Sequence, residues 1–150
     1  VAFIGRFLPN LTVQGYGIAS YAHSLLKQFK GEWEYDTNWK MINGHPKKAG
    51  WIKAIQEGQR KVRKGLHLDC PVLVMSSDKS YPETKEWHNE YLSSDIVLDV
   101  HDIQKYAPKL GEYVTRDTIP NGIHDLILSE KESRDHTYRT VFDWMNRKGF

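Results

Sequence analysis

The chain has 150 residues, 39% of them hydrophobic and 27% charged, a composition that predicts a folded core and excludes an intrinsically disordered chain. That length suits one domain or part of a larger one. Twenty-one Lys and Arg residues against 19 Asp and Glu residues leave a net charge of +2, which is too small to indicate nucleic acid as a partner.

The sequence also argues against several kinds of site. Its one cysteine, Cys70, allows no internal disulfide and no cysteine-based zinc cluster, and it fits a reducing, cytoplasmic location. We expect no cofactor and no metal.

No run of about 18 apolar residues is present, so no membrane span is expected, and the first residues lack the pattern of a signal peptide. Because the first residue is Val1 and not Met, we expect a piece of a longer chain or a processed protein.

Residues 1–65 are predicted to form helices and loops. Residues 1–16 are apolar but broken by proline and glycine, which favours an irregular connection. In Ile18–Lys30, apolar residues recur every three or four positions and predict one amphipathic helix. A second helix is predicted for Lys47–Gly65. One of its faces carries several Lys and Arg residues, which fits either a solvated surface or contact with phosphates or a membrane.

An aromatic-rich loop joins these two helices. Trp33, Tyr35 and Trp39 lie among polar residues in positions 31–45, with neither a helical nor a strand period. Two interpretations stay open at this point. The aromatic side chains either line a lid over a binding site, or they only pad the neighbouring helices.

The clearest strand is Cys70–Met75. Its unbroken apolar run is typical of a strand covered on both faces, as in the parallel sheet of an α/β protein, and it makes Cys70 a core residue. A long polar loop follows and reaches Ser94. Loops at the carboxyl ends of parallel strands hold ligands and catalytic groups, so Asp78 and Asp95 are candidate acids.

Beyond this loop the pattern predicts a helix, a strand and a closing helix. The helix spans Asp99–Leu110, and the strand Tyr113–Ile119 is less apolar and therefore nearer an edge of the sheet. Ser129 and Glu132 have the spacing of a capping box, which would start the last helix. Apolar residues then recur every three or four positions and predict the face that packs on the sheet: Tyr138, Val141, Phe142 and Met145.

A histidine lies on the loop between that strand and the closing helix. Asn121-Gly122 is a turn signal and Pro120 ends the preceding strand, so His124 is predicted on a loop at the carboxyl end of the strand. An imidazole in such a place is either a catalytic base or a solvated, structural side chain.

The order of strand, acid-bearing loop, helix, strand, Gly-x-His loop and terminal helix resembles the carboxyl-terminal part of an α/β-hydrolase. The group it resembles contains monoglyceride lipases, lysophospholipases and serine aminopeptidase-like enzymes. The resemblance covers residues 66–150 as the final strand–helix units, and residues 1–65 resemble the helical cap that such enzymes insert before them. The expected fold is therefore α/β, the last part of a mostly parallel sheet preceded by a cap.

In that group the acid of the catalytic triad often lies in an Asp-x-Val or Asp-x-Ile motif, and Asp95-Ile96-Val97 has this form. The resemblance therefore implies Asp95 as the acid and His124 as the histidine of a Ser–His–Asp triad. Asp78 stays open as the alternative acid, because Ser77–Ser94 departs from the family pattern and looks like an insertion.

The implied activity is hydrolysis of a small-molecule carboxylic ester, as in a lysophospholipase or monoacylglycerol lipase, with Trp33, Tyr35 and Trp39 binding the acyl chain. A peptidase of the same group would share every residue named here. No Gly-x-Ser-x-Gly elbow is present, so we expect the nucleophile in a missing amino-terminal part of the chain. The alternative is a non-catalytic, hydrolase-like binding module.

Overall fold

Helices and two small sheets alternate along the chain in the computed structural model, which describes residues 4–150. The fold is mixed α/β, as predicted. Single turns of 3-10 helix lie at Asn89–Leu92, Ala107–Lys109 and Leu126–Leu128. The helices are α1 (Ile4–Phe7), α2 (Ser20–Leu25), α3 (Ala49–Lys64), α4 (Val100–Tyr106) and α5 (Lys131–Lys148), and the strands are β1 (Thr12–Gln14), β2 (Lys47–Lys48), β3 (Val72–Ser77) and β4 (Val114–Ile119).

β3 and β4 form a parallel pair. They run in register from Val72 opposite Val114 to Ser77 opposite Ile119. Both strands therefore end at the same edge of the sheet, and the segments that follow them begin side by side. The two strands predicted in this part of the sequence are confirmed, with ends shifted by one or two residues.

The helices α4 and α5 cover opposite faces of this pair. Arg116 of β4 donates a hydrogen bond to the Gln104 carbonyl of α4 at 3.0 Å. The neighbouring Thr115 accepts one from the indole of Trp144 in α5, also at 3.0 Å. Because adjacent residues of a strand point to opposite faces, one helix lies on each side of the sheet. This layering is typical of α/β proteins.

The strand β3 is less covered than its apolar sequence predicts. Residues Val72–Met75 are half-buried, and only Ser76 and Ser77 at the carboxyl end are buried. Within residues 4–150, β4 is its one strand neighbour, and α4 has about two turns, so part of the strand lacks a covering layer. The prediction that Cys70 is a core residue is wrong. Cys70 is exposed because β3 begins after Pro71.

The amino-terminal connection and the first predicted helix both differ from the sequence pattern. The first three residues of the connection 1–16 lie outside the described residues, and the rest contains α1 and β1. The predicted helix Ile18–Lys30 is shorter, since α2 ends at Leu25 and the backbone N–H of Trp33 returns to the Leu25 carbonyl at 2.8 Å. This return requires Gly31, because a Cβ there would lie 2.1 Å from the Leu25 backbone.

The predicted helices α3 and α4 are confirmed, although Lys47 and Lys48 at the start of the first prediction form β2. α3 ends at Lys64 and is followed by Gly65, whose φ of 105° suits glycine. α4 ends at Tyr106, where the chain tightens into a 3-10 turn that contains Pro108. The apolar face of α3 is only partly covered, since Trp51 and Ile55 are exposed. None of the helices in residues 4–150 has the length and apolar character that a membrane span requires.

The closing helix α5 buries a different face from the predicted one. Ser133 and Thr137 are buried, whereas Tyr138 and Phe142 of the predicted apolar face are exposed. The hydroxyl of Thr137 donates to the Ser133 carbonyl at 2.8 Å, so these polar side chains are paired inside the structure. An apolar period cannot reveal a buried face made of small hydroxyl residues.

The long segment between β3 and α4 packs around one aromatic residue. Tyr91 is fully buried, and its hydroxyl accepts the backbone N–H of Thr84 at 2.8 Å. The rings of Tyr81, Trp87 and His88 each contact the Tyr91 ring at centroid distances of 5.4–5.9 Å. The segment from Lys79 to Asp95, here named the excursion, is therefore an ordered part of the fold.

One glycine of the sheet's amino-terminal edge gives a stability prediction. A Cβ at Gly111 would lie 2.3 Å from the Leu68 carbonyl, with which Gly111 forms a parallel bridge. Gly111→Ala should therefore lower the free energy of unfolding by about 1–3 kcal/mol, measured by urea denaturation. Gly58→Ala is the matched control. Its Cβ meets nothing within 4 Å, and in mid-helix it should stabilise by about 1 kcal/mol. Equal effects of the two substitutions would contradict the close approach.

Candidate functional site

A buried carboxylate and a half-buried imidazole meet at the edge where β3 and β4 end. His124 Nδ1 lies 3.0 Å from Asp95 Oδ2, and the two side chains are 28% and 3% exposed. The other oxygen, Oδ1, accepts the backbone N–H groups of Val97 and Leu98, each at 2.8 Å. The carboxylate is thus held from both oxygens, while the ring keeps one side near solvent.

Asp95 reaches this edge because the excursion closes on itself. Its backbone N–H donates to the Lys79 carbonyl at 3.0 Å, and its carbonyl accepts the N–H of Tyr81, also at 3.0 Å. These bonds form a short parallel bridge between Ser80 and Asp95. The inserted segment therefore returns the acid to the strand end from which the chain departed.

The histidine loop, residues 120–128, is held by hydroxyl groups around the start of α5. Ser129 Oγ accepts the backbone N–H of Ile123 at 3.0 Å, and Ser133 Oγ donates to the Pro120 carbonyl at 2.7 Å. Both serines are buried, so each bond satisfies a polar group that water cannot reach.

The predicted capping box between Ser129 and Glu132 is wrong. The hydroxyl of Ser129 bonds to the histidine loop, and Glu130, which precedes the first residue of α5, makes no side-chain cap. Glu132 therefore has no capping partner in Ser129. The spacing found the correct helix start but assigned Ser129 the wrong contact.

Asp78, the alternative acid, bonds to a different part of the same loop. Its Oδ1 accepts the backbone N–H of Asn121 at 3.0 Å, and Lys79 Nζ donates to the Asn121 side-chain oxygen at 3.0 Å. Asn121 has a left-handed φ of 54°. Asp78 thus holds the turn that precedes His124, and it is Asp95 whose carboxylate lies at the imidazole.

The electrostatics of the pair assign the ring proton. The hydrogen bond from Asp95 raises the pKa of His124, against the effect of burial. Burial acts to raise the pKa of Asp95, but hydrogen bonds from the His124 ring and from backbone N–H groups outweigh it, so this pKa is lowered. Near neutral pH the carboxylate is ionised and can only accept, so Nδ1 carries the proton.

When the ring is neutral, this arrangement leaves a lone pair on His124 Nε2. Among residues 4–150, Tyr35 Oη is the one buried side-chain polar atom without a hydrogen-bond partner. The Nε2 atom of His124 also has no hydrogen-bond partner in these residues. Because it is not among the buried unpaired atoms, it is accessible to solvent. An accessible lone pair with an ionised acid on the opposite nitrogen is the arrangement of a general base.

A network that sequence reasoning missed lies directly beside the pair. Tyr21 Oη donates to Asp125 Oδ2 at 2.7 Å and accepts the Asp125 backbone N–H at 3.0 Å. Lys40 Nζ donates to the same Asp125 oxygen at 3.1 Å. The Tyr21 ring contacts the His124 ring edge-on, with centroids 5.9 Å apart. Asp125 adjoins the candidate histidine in sequence, but Tyr21 lies 104 residues from Asp125, so no local signal connects them.

The three aromatic residues predicted to bind substrate separate into two environments. Tyr35 and Trp39 line a cleft of about 420 Å³, and Trp39 is 86% exposed at its surface. Trp33 lies outside that lining. Its indole donates to the Leu128 carbonyl at 2.7 Å, and the Arg134 guanidinium lies over its ring. The cleft is largely apolar, and its lining includes Tyr21, Ala22, Met41, Ile42 and Val97.

The described chain offers no metal centre. In residues 4–150 no group of three or more His, Cys, Asp or Glu side chains is arranged to hold an ion.

No family model, no curated protein and no solved structure matches this chain. Its function is therefore inferred from the geometry of Asp95, His124 and their neighbours.

The Asp95–His124 bond predicts a titration shift. Asp95→Asn removes the ionised partner that raises the pKa of His124 and leaves the burial that lowers it, so the imidazole should titrate at lower pH in an NMR experiment. Asp78→Asn is the control and should leave this titration unchanged. An unchanged His124 titration in Asp95→Asn would contradict the pairing.

The same pair predicts how stability depends on pH. Because the pKa of His124 is raised by folding, its contribution to the free energy of unfolding is complete below the unfolded value of about 6.5 and is lost as pH rises through the folded value. The destabilisation of Asp95→Asn should therefore be larger at about pH 5.5 than at about pH 8.5, measured by urea unfolding. A larger effect at high pH would contradict this sign.

Proposed function

We propose that this chain supplies the acid and the histidine of a Ser–His–Asp triad in an α/β-hydrolase that cleaves carboxylic esters. Asp95 is the acid and His124 is the general base. The observation that carries the proposal is the 3.0 Å bond between a buried carboxylate and an imidazole whose other nitrogen is accessible, at the carboxyl ends of two parallel strands.

The proposed roles follow from proton chemistry. A serine hydroxyl becomes a strong nucleophile only when a neutral imidazole takes its proton. Asp95 holds the proton of His124 on Nδ1 and stabilises the imidazolium that forms when Nε2 receives a second proton. The lowered pKa of Asp95 keeps its charge available across the pH range in which His124 titrates.

The architecture supports the same family. A helix on each face of a parallel pair, with an acid loop after one strand and a histidine loop after the next, is the order of the last units of an α/β-hydrolase. In this proposal residues 66–150 complete the sheet of the enzyme, and residues 1–65 are its cap.

The nucleophile has to come from outside these residues. The sequence holds no Gly-x-Ser-x-Gly elbow, and no serine in residues 4–150 hydrogen-bonds to the His124 ring. An amino-terminal part of the same protein would provide the elbow and the oxyanion hole. The 150 residues alone should then bind substrate weakly and turn over nothing.

The substrate class follows from the cleft beside the histidine. Its largely apolar lining fits an acyl chain, and Tyr21 belongs both to that lining and to the contacts of His124. A monoacylglycerol or a lysophospholipid has such a chain on an ester. The exposed, unpaired thiol of Cys70 fits a reducing compartment, so we place the enzyme in the cytoplasm.

The lack of an elbow favours one alternative, a non-catalytic binding module in which Asp95 and His124 only hold two loops together. A peptidase of the same group is compatible with the same pair. The reading frame before Val1 separates the first alternative from the enzyme, because only the enzyme requires an elbow there.

Substitution of the two acids tests the enzyme. In the complete protein, Asp95→Asn should lower kcat for an ester by about 10⁴, because the imidazole loses the carboxylate that orients it. Asp78→Asn, the matched control, removes a carboxylate from the same loop system and should cost far less. A larger loss in Asp78→Asn would overturn the assignment of the acid.

Substitution of the cleft aromatics tests the substrate class. Tyr35→Ala and Trp39→Ala should reduce kcat/KM for long-chain esters more than for acetyl esters, since each buried methylene contributes about 0.8 kcal/mol. Trp33→Phe is the control. It removes the bond to Leu128 outside the cleft and should change stability without changing chain-length preference. Equal losses for short and long esters would show that the cleft does not bind the chain.

A further inference from the structure

We propose that Tyr21 is a positioning residue that holds His124 in place through Asp125. The inference rests on the proposed function of His124 as the base. It adds a residue of the cap segment to the machinery at the sheet edge, although Tyr21 itself need not touch the substrate or the reacting atoms.

The contact between Tyr21 and Asp125 fixes both the backbone and the side chain of one residue. The phenol donates to the carboxylate at 2.7 Å and accepts the backbone N–H at 3.0 Å, so one hydrogen bond restrains the side chain of Asp125 and another restrains its backbone. Asp125 follows His124 directly. A restrained Asp125 therefore also restrains the backbone of His124, which carries the imidazole.

Tyr21 lies on α2, which packs against the rest of the structure. α2 is buried at Ala22, Ser24 and Leu25, and Ser20 donates from its hydroxyl to the Thr84 carbonyl in the excursion at 3.3 Å. Burial and the bond to Asp125 raise the pKa of Tyr21, so the phenol remains a protonated donor at any physiological pH. The phenol is therefore available as a donor to the histidine loop throughout the physiological pH range.

The network also holds a second carboxylate beside the imidazole. Asp125 is a second carboxylate next to His124, and its charge acts on the ring. Burial acts to raise the pKa of Asp125, but the hydrogen bonds that Tyr21 and Lys40 donate to its Oδ2 outweigh burial, so this pKa is lowered. These two donors hold Asp125, while Nδ1 of His124 bonds to Asp95.

Of the two donors, Tyr21 is the stronger support. The Lys40–Asp125 ion pair is 46% and 40% exposed on its two sides, and ion pairs so exposed contribute little. The Tyr21 ring, by contrast, is half-buried and packs edge-on against the imidazole with an interplanar angle of 79°. This contact limits the tilt of the imidazole ring, and the hydrogen bonds to Asp125 limit the movement of the backbone.

The test uses Tyr21→Phe in the complete protein, because phenylalanine keeps the ring contact and removes both hydrogen bonds. We expect kcat to fall by up to about 100-fold with KM unchanged, since a misplaced base slows the chemical step. The acid limb of the kcat profile should move to higher pH, because the phenol O–H dipole no longer offsets the charge of the ionised Asp125, which acts on His124. Tyr16→Phe, at a residue 61% exposed, should behave as wild type.

Two variants of the partner residue keep the test decisive if Tyr21→Phe does not fold. Asp125→Ala removes the acceptor of Tyr21 and should lower kcat in the same way. Asp125→Asn keeps an acceptor oxygen for the phenol and should restore most of the activity. If Asn and Ala reduce kcat equally, or if a folded Tyr21→Phe shows only a lower melting temperature, the inference is overturned.

A spectroscopic readout separates this inference from the proposed function. The Nδ1–H proton of His124 should exchange with water faster in Tyr21→Phe than in wild type, observed by NMR with labelled histidine. An unchanged exchange rate overturns the positioning role whether or not the protein hydrolyses esters. Retained activity in His124→Ala would instead overturn the hydrolase proposal and leave the exchange measurement valid.

Discussion

The hydrogen bond between Asp95 and His124 joins loops that follow two different strands, so it depends on the register of those strands. β3 and β4 pair with Ser77 opposite Ile119, which brings the two loop origins side by side. A slip of one residue would move one loop by about 3.3 Å along the sheet. A contact of 3.0 Å does not survive such a displacement. The candidate site therefore depends on the register of β3 and β4 as well as on the two side chains.

Burial of the acid would destabilise the fold if the carboxylate were unpaired. An ionised group removed from water costs several kcal/mol unless hydrogen bonds replace its hydration. Asp95 obtains them from His124 and from the N–H groups of Val97 and Leu98, all of which come from loops. Because two of these donors are backbone N–H groups that bond to the same oxygen, the orientation of the carboxylate is restricted. The imidazole, with one nitrogen bound and the other accessible, is the part of the pair that can exchange a proton.

Features that depend on interactions between neighbouring residues were predicted from the sequence, whereas features that depend on contacts between distant residues were missed. The apolar run before Ser77, the turn at Asn121 and the glycine stop of α3 are local, and each was found near its observed place. The sequence indicated Asp95 but left Asp78 open as the alternative acid, since the backbone bonds that close the excursion leave no side-chain pattern. The Tyr21–Asp125 contact spans 104 residues and could not be predicted from any local pattern.

Opening of the proposed cap, residues 1–65, as one rigid lid would break its hydrogen bonds to the histidine loop. The cap is attached to the histidine loop on one side by Tyr21 and Lys40 at Asp125, and on the other by the Trp33 indole at Leu128. Opening at either attachment would break hydrogen bonds that hold the loop of the proposed base. Between these attachments, the aromatic stretch around Trp39 is exposed and borders the cleft. In the proposed enzyme, movement that admits a substrate would then be confined to that stretch, and the bonds from α2 to the histidine loop would be kept.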